Sequence, residues 1–513
     1  MTIRTGEEFI KQPPLKTDVC IVGTGPAGIT LAWHLKKKHP ELDVTLLEGS
    51  RLFGRAPDST FGNGTTNGQT YEWNENTALY NGATEGLMKQ NEEEFLVRPS
   101  PTFNSGPWER ERLYGGTSTH WGAQSRPLDP ITFKKRPGFS GWPIMREDMD
   151  DYYDRACRFC QLYGDYYVKG KEPGYNFTAE FWSQQLGQSV PELEGFDVDM
   201  YQFFNDHQFQ ARLLDGQSTI GDSDVRVILN ASLLDMAKEN NTVSTLTVGV
   251  MQGDKNTTPS KLGEFSINAQ VVVLACGAVA NARQLLLSGF GNTNDNIGAY
   301  FMCHPIATKA PGFNAVSVFP SMEQGVLGFR NENRFFNIYA LKGVYTPNER
   351  TATKLETGRC WLDNNGSRDF YHEMLQWKES RVSLADSKDP VFGQRQTQID
   401  WQLNPDSERN YNSLTQFYKT SVKQNNPSAT VNIQPWADVE KNMVVNGHHL
   451  GTTRMGWSEK DGVVDRNLKV FGTDNLYVAG SSIWATAGIS NPTFSIITFS
   501  IRLADHIGEN CCK

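Results

Sequence analysis

The run Asp18-Val19-Cys20-Ile21-Val22 is apolar from its second residue on, the pattern of a short strand buried on both faces of a parallel sheet. It leads directly into Gly23-Thr24-Gly25-Pro26-Ala27-Gly28 and then into Ile29-Thr30-Leu31-Ala32-Trp33-His34-Leu35, where apolar residues recur at helical spacing. A second strand, Val44-Thr45-Leu46-Leu47, follows and delivers Glu48. Farther along, Val225-Arg226-Val227-Ile228-Leu229, residues 243–250 and Ala269-Gln270-Val271-Val272-Val273-Leu274 predict further strands of the same domain. The last of them ends in a turn of small residues before the predicted helix Asn281-Ala282-Arg283-Gln284-Leu285-Leu286. Between 311 and 440 strand-like alternation is scattered. The clearest case is Gln398-Ile399-Asp400-Trp401-Gln402-Leu403, whose polar and apolar side chains fall on opposite faces of a sheet. Residues 51–112 show no sustained period and read as long loops, which inside a compact chain are usually functional.

Each glycine of the first turn has a separate reason. Gly23 permits the tight turn, Gly25 lets backbone approach a pyrophosphate, and Gly28 lets helix and strand pack closely. Pro26 stands where a first-turn proline is tolerated, and the helix N-terminus offers its positive dipole end to an anion. Glu48 follows Gly28 at about the twenty-residue offset of an acid that accepts hydrogen bonds from ribose hydroxyls. The unit predicts a dinucleotide seat and by itself leaves FAD and NAD both open.

Composition narrows the class. The 513 residues suit two domains, or one with an elaborated second, and 38% hydrophobic with 21% charged residues describes an ordinary globular protein. A net charge of -9 argues against a nucleic-acid partner. No apolar run reaches the length of a membrane helix, and Met1-Thr2-Ile3-Arg4-Thr5-Gly6-Glu7-Glu8 lacks the apolar core of a signal peptide, so a soluble, cytoplasmic protein is expected. Eight cysteines in so long a chain make no disulfide framework. Cys157 and Cys160, the one C-x-x-C, read as core or helix-surface thiols, and no metal site is expected.

A second glycine element, Arg112-Leu113-Tyr114-Gly115-Gly116-Thr117-Ser118-Thr119-His120-Trp121-Gly122, offers close backbone approach together with hydroxyl donors at Thr117 and Ser118. Near the other end stand Asn446-Gly447-His448-His449-Leu450-Gly451-Thr452, then Gly480-Ser481-Ser482-Ile483, then Ser490-Asn491-Pro492-Thr493. Taken together, these segments resemble the flavin-contacting and catalytic motifs of the glucose-methanol-choline (GMC) oxidoreductase family, with Ser118-Thr119-His120-Trp121 most similar to the pyranose 2-oxidase branch. The resemblance covers both ends of the chain well and its middle poorly.

The resemblance implies an α/β chain in two domains. A Rossmann-like FAD-binding domain would comprise residues 1–130, 222–310 and 441–513. A substrate domain, with an antiparallel sheet flanked by helices, would comprise 131–221 and 311–440. It implies FAD bound by Gly23, Gly25, Gly28, Glu48, Gly116, Thr117, Ser118, Gly480, Ser481 and Thr493. His120 is read in two ways, as the point of covalent flavin attachment or as a hydrogen-bonding histidine beside a non-covalent flavin. His448 matches the family's base and Asn491 its partner: the imidazole accepts the hydroxyl proton, Asn491 holds the substrate oxygen, and hydride passes to flavin N5. Backbone N–H groups at the start of the helix after Gly480 would receive negative charge building on the reduced ring. The plainer alternatives are a satisfied buried histidine at 448 and a turn residue before proline at 491. His449 is the weaker candidate, and His304, beside Pro305 at a domain crossing, is read as structural.

The expected activity is oxidation of an alcohol on a sugar or glycoside, as an oxidase or a dehydrogenase. Oxygen, a quinone and a carrier protein remain open as electron acceptors. A flavin-containing lyase-like enzyme and a non-carbohydrate alcohol oxidase of the same fold are the alternatives.

Overall fold

The computed structural model of the chain describes residues 2–50, 95–97, 114–119, 124–160, 162, 180, 183, 189–204, 225–252, 260–291, 294–307, 323–325, 330–331, 334–335, 338–362, 370–445 and 447–510. One eight-stranded sheet runs in the order Thr2–Thr5, Arg226–Leu229, Val44–Leu47, Leu15–Val22, Ser260–Leu274, Thr242–Gln252 and Ser232–Glu239, with Leu476–Val478 also paired to Ser260–Leu274. From Thr2–Thr5 to Ser260–Leu274 the pairs are parallel; beyond it Thr242–Gln252 and Ser232–Glu239 pair antiparallel, while Leu476–Val478 is parallel to Ser260–Leu274. This strand is 15 residues long, far beyond the 269–274 segment that hydrophobicity marks. Its apolar second half lies beside Leu15–Val22, while its first half, polar at alternate positions, pairs with Thr242–Gln252 nearer solvent.

The helix Pro26–Lys38 begins at the glycine turn with Gly25 as its cap and closes on Lys36, Lys37 and Lys38, cations placed where the macrodipole is negative. Gly28 is held between this helix and the preceding strand, and a Cβ there would stand 2.0 Å from the Gly23 carbonyl oxygen. The Gly23 backbone cannot yield cheaply, so Gly28→Ala is expected to cost about 1–3 kcal/mol, the usual range for overpacking. A lowered denaturant midpoint checks it. The long helix Pro492–Asn510 is buried along most of its length and packs on Pro26–Lys38 and on Asp150–Cys160. Arg155 clamps it through a two-pronged contact with Asp505, one arm at 3.1 Å. Cys157 and Cys160 are buried on the third of these helices with no disulfide, and burial pushes the Cys157 thiol well up, which suits packing rather than chemistry.

A second eight-stranded sheet is antiparallel throughout, in the order Val444–Val445, Pro305–Ala307, Phe370–His372, Cys360–Leu362, Ile338–Pro347, Phe196–Phe204 and Gln124–Ser125, with Glu323–Gly325 against Ile338–Pro347. The strand expected at 398–403 lies at Arg395–Asp400 and joins neither large sheet. It pairs with Arg381–Lys388 and, in parallel, with Phe95–Val97. That last strand breaks the stretch 51–112 read above as loop, and the rest of that stretch lies outside the described residues. Among the described residues no helix is long and apolar enough to cross a membrane.

Candidate active site

The parallel strands Leu15–Val22, Val44–Leu47 and Ser260–Leu274 all end at one crevice, the position where open α/β sheets bind ligands. A cavity of about 490 Å³ fills it, and Val22, Leu47 and Ala275, at or just beyond those strand ends, are in its wall. Gly23 and Gly25 line it, Gly23 at φ +110°. A Cβ at Gly23 would strike the Ala275 carbonyl oxygen at 2.5 Å, whereas one at Gly25 would meet nothing within 4 Å and would simply occupy the cavity. Glu48 is buried beside them. Its carboxylate accepts from the Thr24 hydroxyl and, at 2.9 Å, from the Ser50 amide. Gly28 packs behind the turn rather than in the cavity wall, in keeping with the close-packing part it has in the sequence.

The second glycine element meets the first directly, for the Gly115 amide donates to the Thr24 carbonyl at 3.0 Å. Gly116, Thr117 and Ser118 line the same cavity, and Ser118 donates its hydroxyl to the Gly115 carbonyl at 2.6 Å, closing the turn. His120 lies outside the described residues. On the far side of the sequence, Gly480, Ser481, Asn491 and Thr493 also line it, with His448 and His449. Asn281 fixes Gly480 and Ser481 in place by donating to the Ala479 carbonyl and the Ser482 hydroxyl, both at 2.9 Å. The helix expected after Gly480 is a single turn, Ser481–Ile483, which ends where Trp484 takes a non-helical ψ of 123°. The long helix starts instead at Pro492, immediately after Asn491.

His448 and Asn491 reach the cavity by different devices. Met302 and Leu450 exchange backbone hydrogen bonds at 3.0 and 2.8 Å in an antiparallel bridge, so two residues on, His304 stands opposite His448 on the same face. The rings meet edge to face with Nδ1 of each 2.9 Å apart, and Nε2 of His304 is 3.0 Å from the Gly488 carbonyl oxygen. Burial drives the His304 imidazole down to about 4 against the pull of the Ala487 and Gly488 carbonyls. Burial, followed by the two neighbouring histidines, also holds His448 well below the ordinary imidazole value, so both rings are neutral at pH 7. Asn491 Oδ1 is buried and has no hydrogen-bond partner among the described residues. An acceptor left so costs free energy unless something fills the cavity beside it. His449 lines the cavity too, its ring against Phe301 and its carbonyl accepting from Ser481 at 2.6 Å.

One part of the wall and one support behind it escape the sequence reading. Asp389 accepts from the amides of Val391, Phe392 and Gln394, at 3.1, 2.7 and 3.0 Å, and so folds a turn whose Val391 and Phe392 line the cavity, although this segment falls in the region assigned to substrate. The Asp389-Pro390 pair was its one local signal. The other is Arg126, whose guanidinium donates to the Ser490 hydroxyl at 3.1 Å, one residue before Asn491.

GMC oxidoreductase models match the chain at residues 226–306 and 378–500, and a NAD(P)-binding Rossmann-like model matches 21–77. The chain belongs to the GMC oxidoreductase family. The 2-methyl-1,2-propanediol dehydrogenase of Mycolicibacterium austroafricanum is 22% identical over 467 residues, which is 77% of this chain and 80% of that protein. The fructose dehydrogenase large subunit of Gluconobacter japonicus is 24% identical over 268 residues, 47% of each chain. Pyridoxine 4-oxidase from Mesorbium loti shares the fold, with a TM-score of 0.55 at 17% identity over 96% of this chain and 99% of that one. As a GMC oxidoreductase the protein is an enzyme of CH–OH groups, an oxidase or a dehydrogenase, in a family for which FAD is typical. The cavity fits that cofactor: open glycines where a side chain would intrude, a buried acid, and, in the same wall, an unpaired carboxamide oxygen and the neutral imidazole of His448.

Proposed function

We propose that this GMC oxidoreductase oxidises the alcohol of a sugar or glycoside, with His448 as the base and Asn491 holding the substrate oxygen. The observation that carries the reading is the meeting, in one cavity with the glycine turn, of a neutral imidazole and a carboxamide whose buried oxygen has no partner among the described residues. Neutral His448 can take the hydroxyl proton as the C–H bond breaks. The Asn491 carboxamide can hold the carbinol oxygen in a fixed direction, converting an encounter into an oriented reaction. Bound FAD supplies the two-electron acceptor. Gly23, Gly25, Gly116, Thr117, Ser118, Gly480, Ser481 and Thr493 would form its cradle, and Glu48 would take the ribose hydroxyls.

The sugar reading is supported by the Ser118-Thr119-His120-Trp121 wording and by the partial likeness to a protein named for fructose. The likeness to a diol dehydrogenase favours a small non-carbohydrate alcohol as the second reading. An anaerobic titration of the yellow protein with sugars, glycosides, diols and simple alcohols separates them. Bleaching by sugars is expected, and recovery of colour on admitting air would mark oxygen as an acceptor. Bleaching by simple diols alone would overturn the sugar assignment, and bleaching by none would favour lyase-like chemistry. Flavin retained by acid-precipitated protein would support attachment at His120, and flavin released wholly into the supernatant would exclude that role.

A further inference from the structure

We propose that His304 is a positioning residue that sets the tautomer of His448, holding its proton on Nδ1 so that Nε2 presents a lone pair to the substrate. The inference rests on the reading of His448 as the base and adds what makes one of its two nitrogens basic. A backbone carbonyl can only accept, so the 3.0 Å contact between Gly488 O and Nε2 of His304 requires a proton on that nitrogen. The ring is buried and neutral, and therefore its Nδ1 carries a lone pair. Nδ1 of His448 lies 2.9 Å from that lone pair and must donate to it. One proton then remains on His448 at Nδ1, and none at Nε2.

The carbonyl at the head of this chain is itself anchored. The Gly488 amide donates to Glu373 Oε1 at 3.1 Å, and Glu373 is buried in an ion pair with Arg136 and also accepts from the Arg359 amide at 2.9 Å. Gly488 takes φ +60°, a left-handed conformation suited to glycine, so its carbonyl direction is fixed by the turn as well as by the carboxylate. A side chain read from the sequence as a structural histidine at a domain crossing is thus the middle link of a line running from Glu373 to the base. When Nε2 of His448 takes the hydroxyl proton, the ring becomes an imidazolium that still donates through Nδ1. His304 keeps its own proton throughout.

The test combines a spectroscopic readout with rescue. Holoenzyme carrying ¹⁵N-labelled histidine is examined by NMR at pH 7, with His448→Gln identifying the His448 resonances, and flavin reduction by the best alcohol is followed by stopped flow. The expected spectrum shows Nδ1 protonated and Nε2 unprotonated on His448. His304→Leu, which fills the space without an acceptor, should lose that preference and slow flavin reduction on the order of tenfold to a hundredfold, the span of one hydrogen bond to a group that gains charge. His304→Asn, whose Oδ1 can stand near the place of Nδ1 and accept, should recover most of the rate and the Nδ1 proton. A wild-type spectrum with the proton on Nε2 of His448 overturns the proposal, whatever the activity. So does a leucine variant that keeps both tautomer and rate, or an asparagine variant as slow as leucine. A wild-type protein whose flavin no alcohol bleaches, yet whose spectrum shows the Nδ1 proton and loses it in His304→Leu, sinks the redox reading and supports the hydrogen-bond assignment.

Discussion

Replacing His448 by alanine is expected to slow reduction of the bound flavin by its alcohol by about two to four orders of magnitude, the contribution usual for a positioned general base. The geometry makes this the most damaging single change in the cavity wall. His449 is the neighbouring imidazole, but its ring is occupied against Phe301, and the antiparallel register that sets His448 opposite His304 turns the next residue to another face. Asn491, as a carboxamide, holds an oxygen without taking a proton. Flavin content should be unchanged, because the glycine turns and Glu48 stand apart from the imidazole in sequence and in hydrogen bonding. Measured anaerobically, an unaltered reduction rate would remove His448 from the chemistry. The wild-type pH profile offers an independent check. The neutral ring is the active form, and burial with two neighbouring histidines lowers its protonation below the ordinary 6.5. As pH falls through 6.5 the rate should therefore hold, declining only at lower pH. A decline centred at or above 6.5 would mean that the ring is not so held.

How much of this was legible beforehand depended on whether a feature was local. The glycine turn, both flanking strands and Glu48 are consecutive in the chain, and their physical requirements are short-range: a tight turn, a close helix approach, an acid at the end of the next strand. Their ranges came out within a few residues, with Val44–Leu47 coinciding at both ends. The partnership of His304 with His448 spans 144 residues and depends on one bridge, Met302 with Leu450, that no periodicity announces. His304-Pro305 stands out in the sequence, yet nothing local distinguishes a histidine facing a base from one filling a core. The Asp389 turn failed for a different reason. It is built from a substrate-side segment but lies over the cofactor crevice, and assignment by blocks of sequence cannot anticipate such a crossing. The length of Ser260–Leu274 was missed because its first half is half-exposed and alternates weakly, while its second half is uniformly apolar.

Arg126 is where the second large effect is expected, and it lies wholly outside the motifs. Its guanidinium is fully buried, bonded through Nη1 to Asp129 at 3.2 Å and through Nη2 to Asp199 at 2.8 Å. Arg359 closes the ring of charges by contacting Asp129 at 2.6 Å and Asp199 at 3.4 Å. Two buried cations thus balance two buried carboxylates, and the sum holds only while all four are present. Arg126→Ala leaves two carboxylates to one guanidinium, so a loss of about 3–5 kcal/mol is expected, the cost of stranding a buried charge. Arg126→Lys keeps the charge but not the planar fork that reaches Asp129, Asp199 and Ser490 together, and should fall between wild type and alanine. The denaturant midpoint, read by tryptophan fluorescence, tests the order of the three. The same guanidinium holds Ser490, whose hydroxyl also donates to the Pro127 carbonyl at 2.7 Å, and Asn491 is the next residue. A lysine variant that folds and retains flavin should therefore still reduce it more slowly, since the carboxamide has lost its tether. Equal midpoints for all three proteins would show the buried charges to be dispensable. A lysine variant with lowered stability and an undiminished rate would mean that Asn491 is held by its own backbone, at the start of Pro492–Asn510, and not by the ionic cluster.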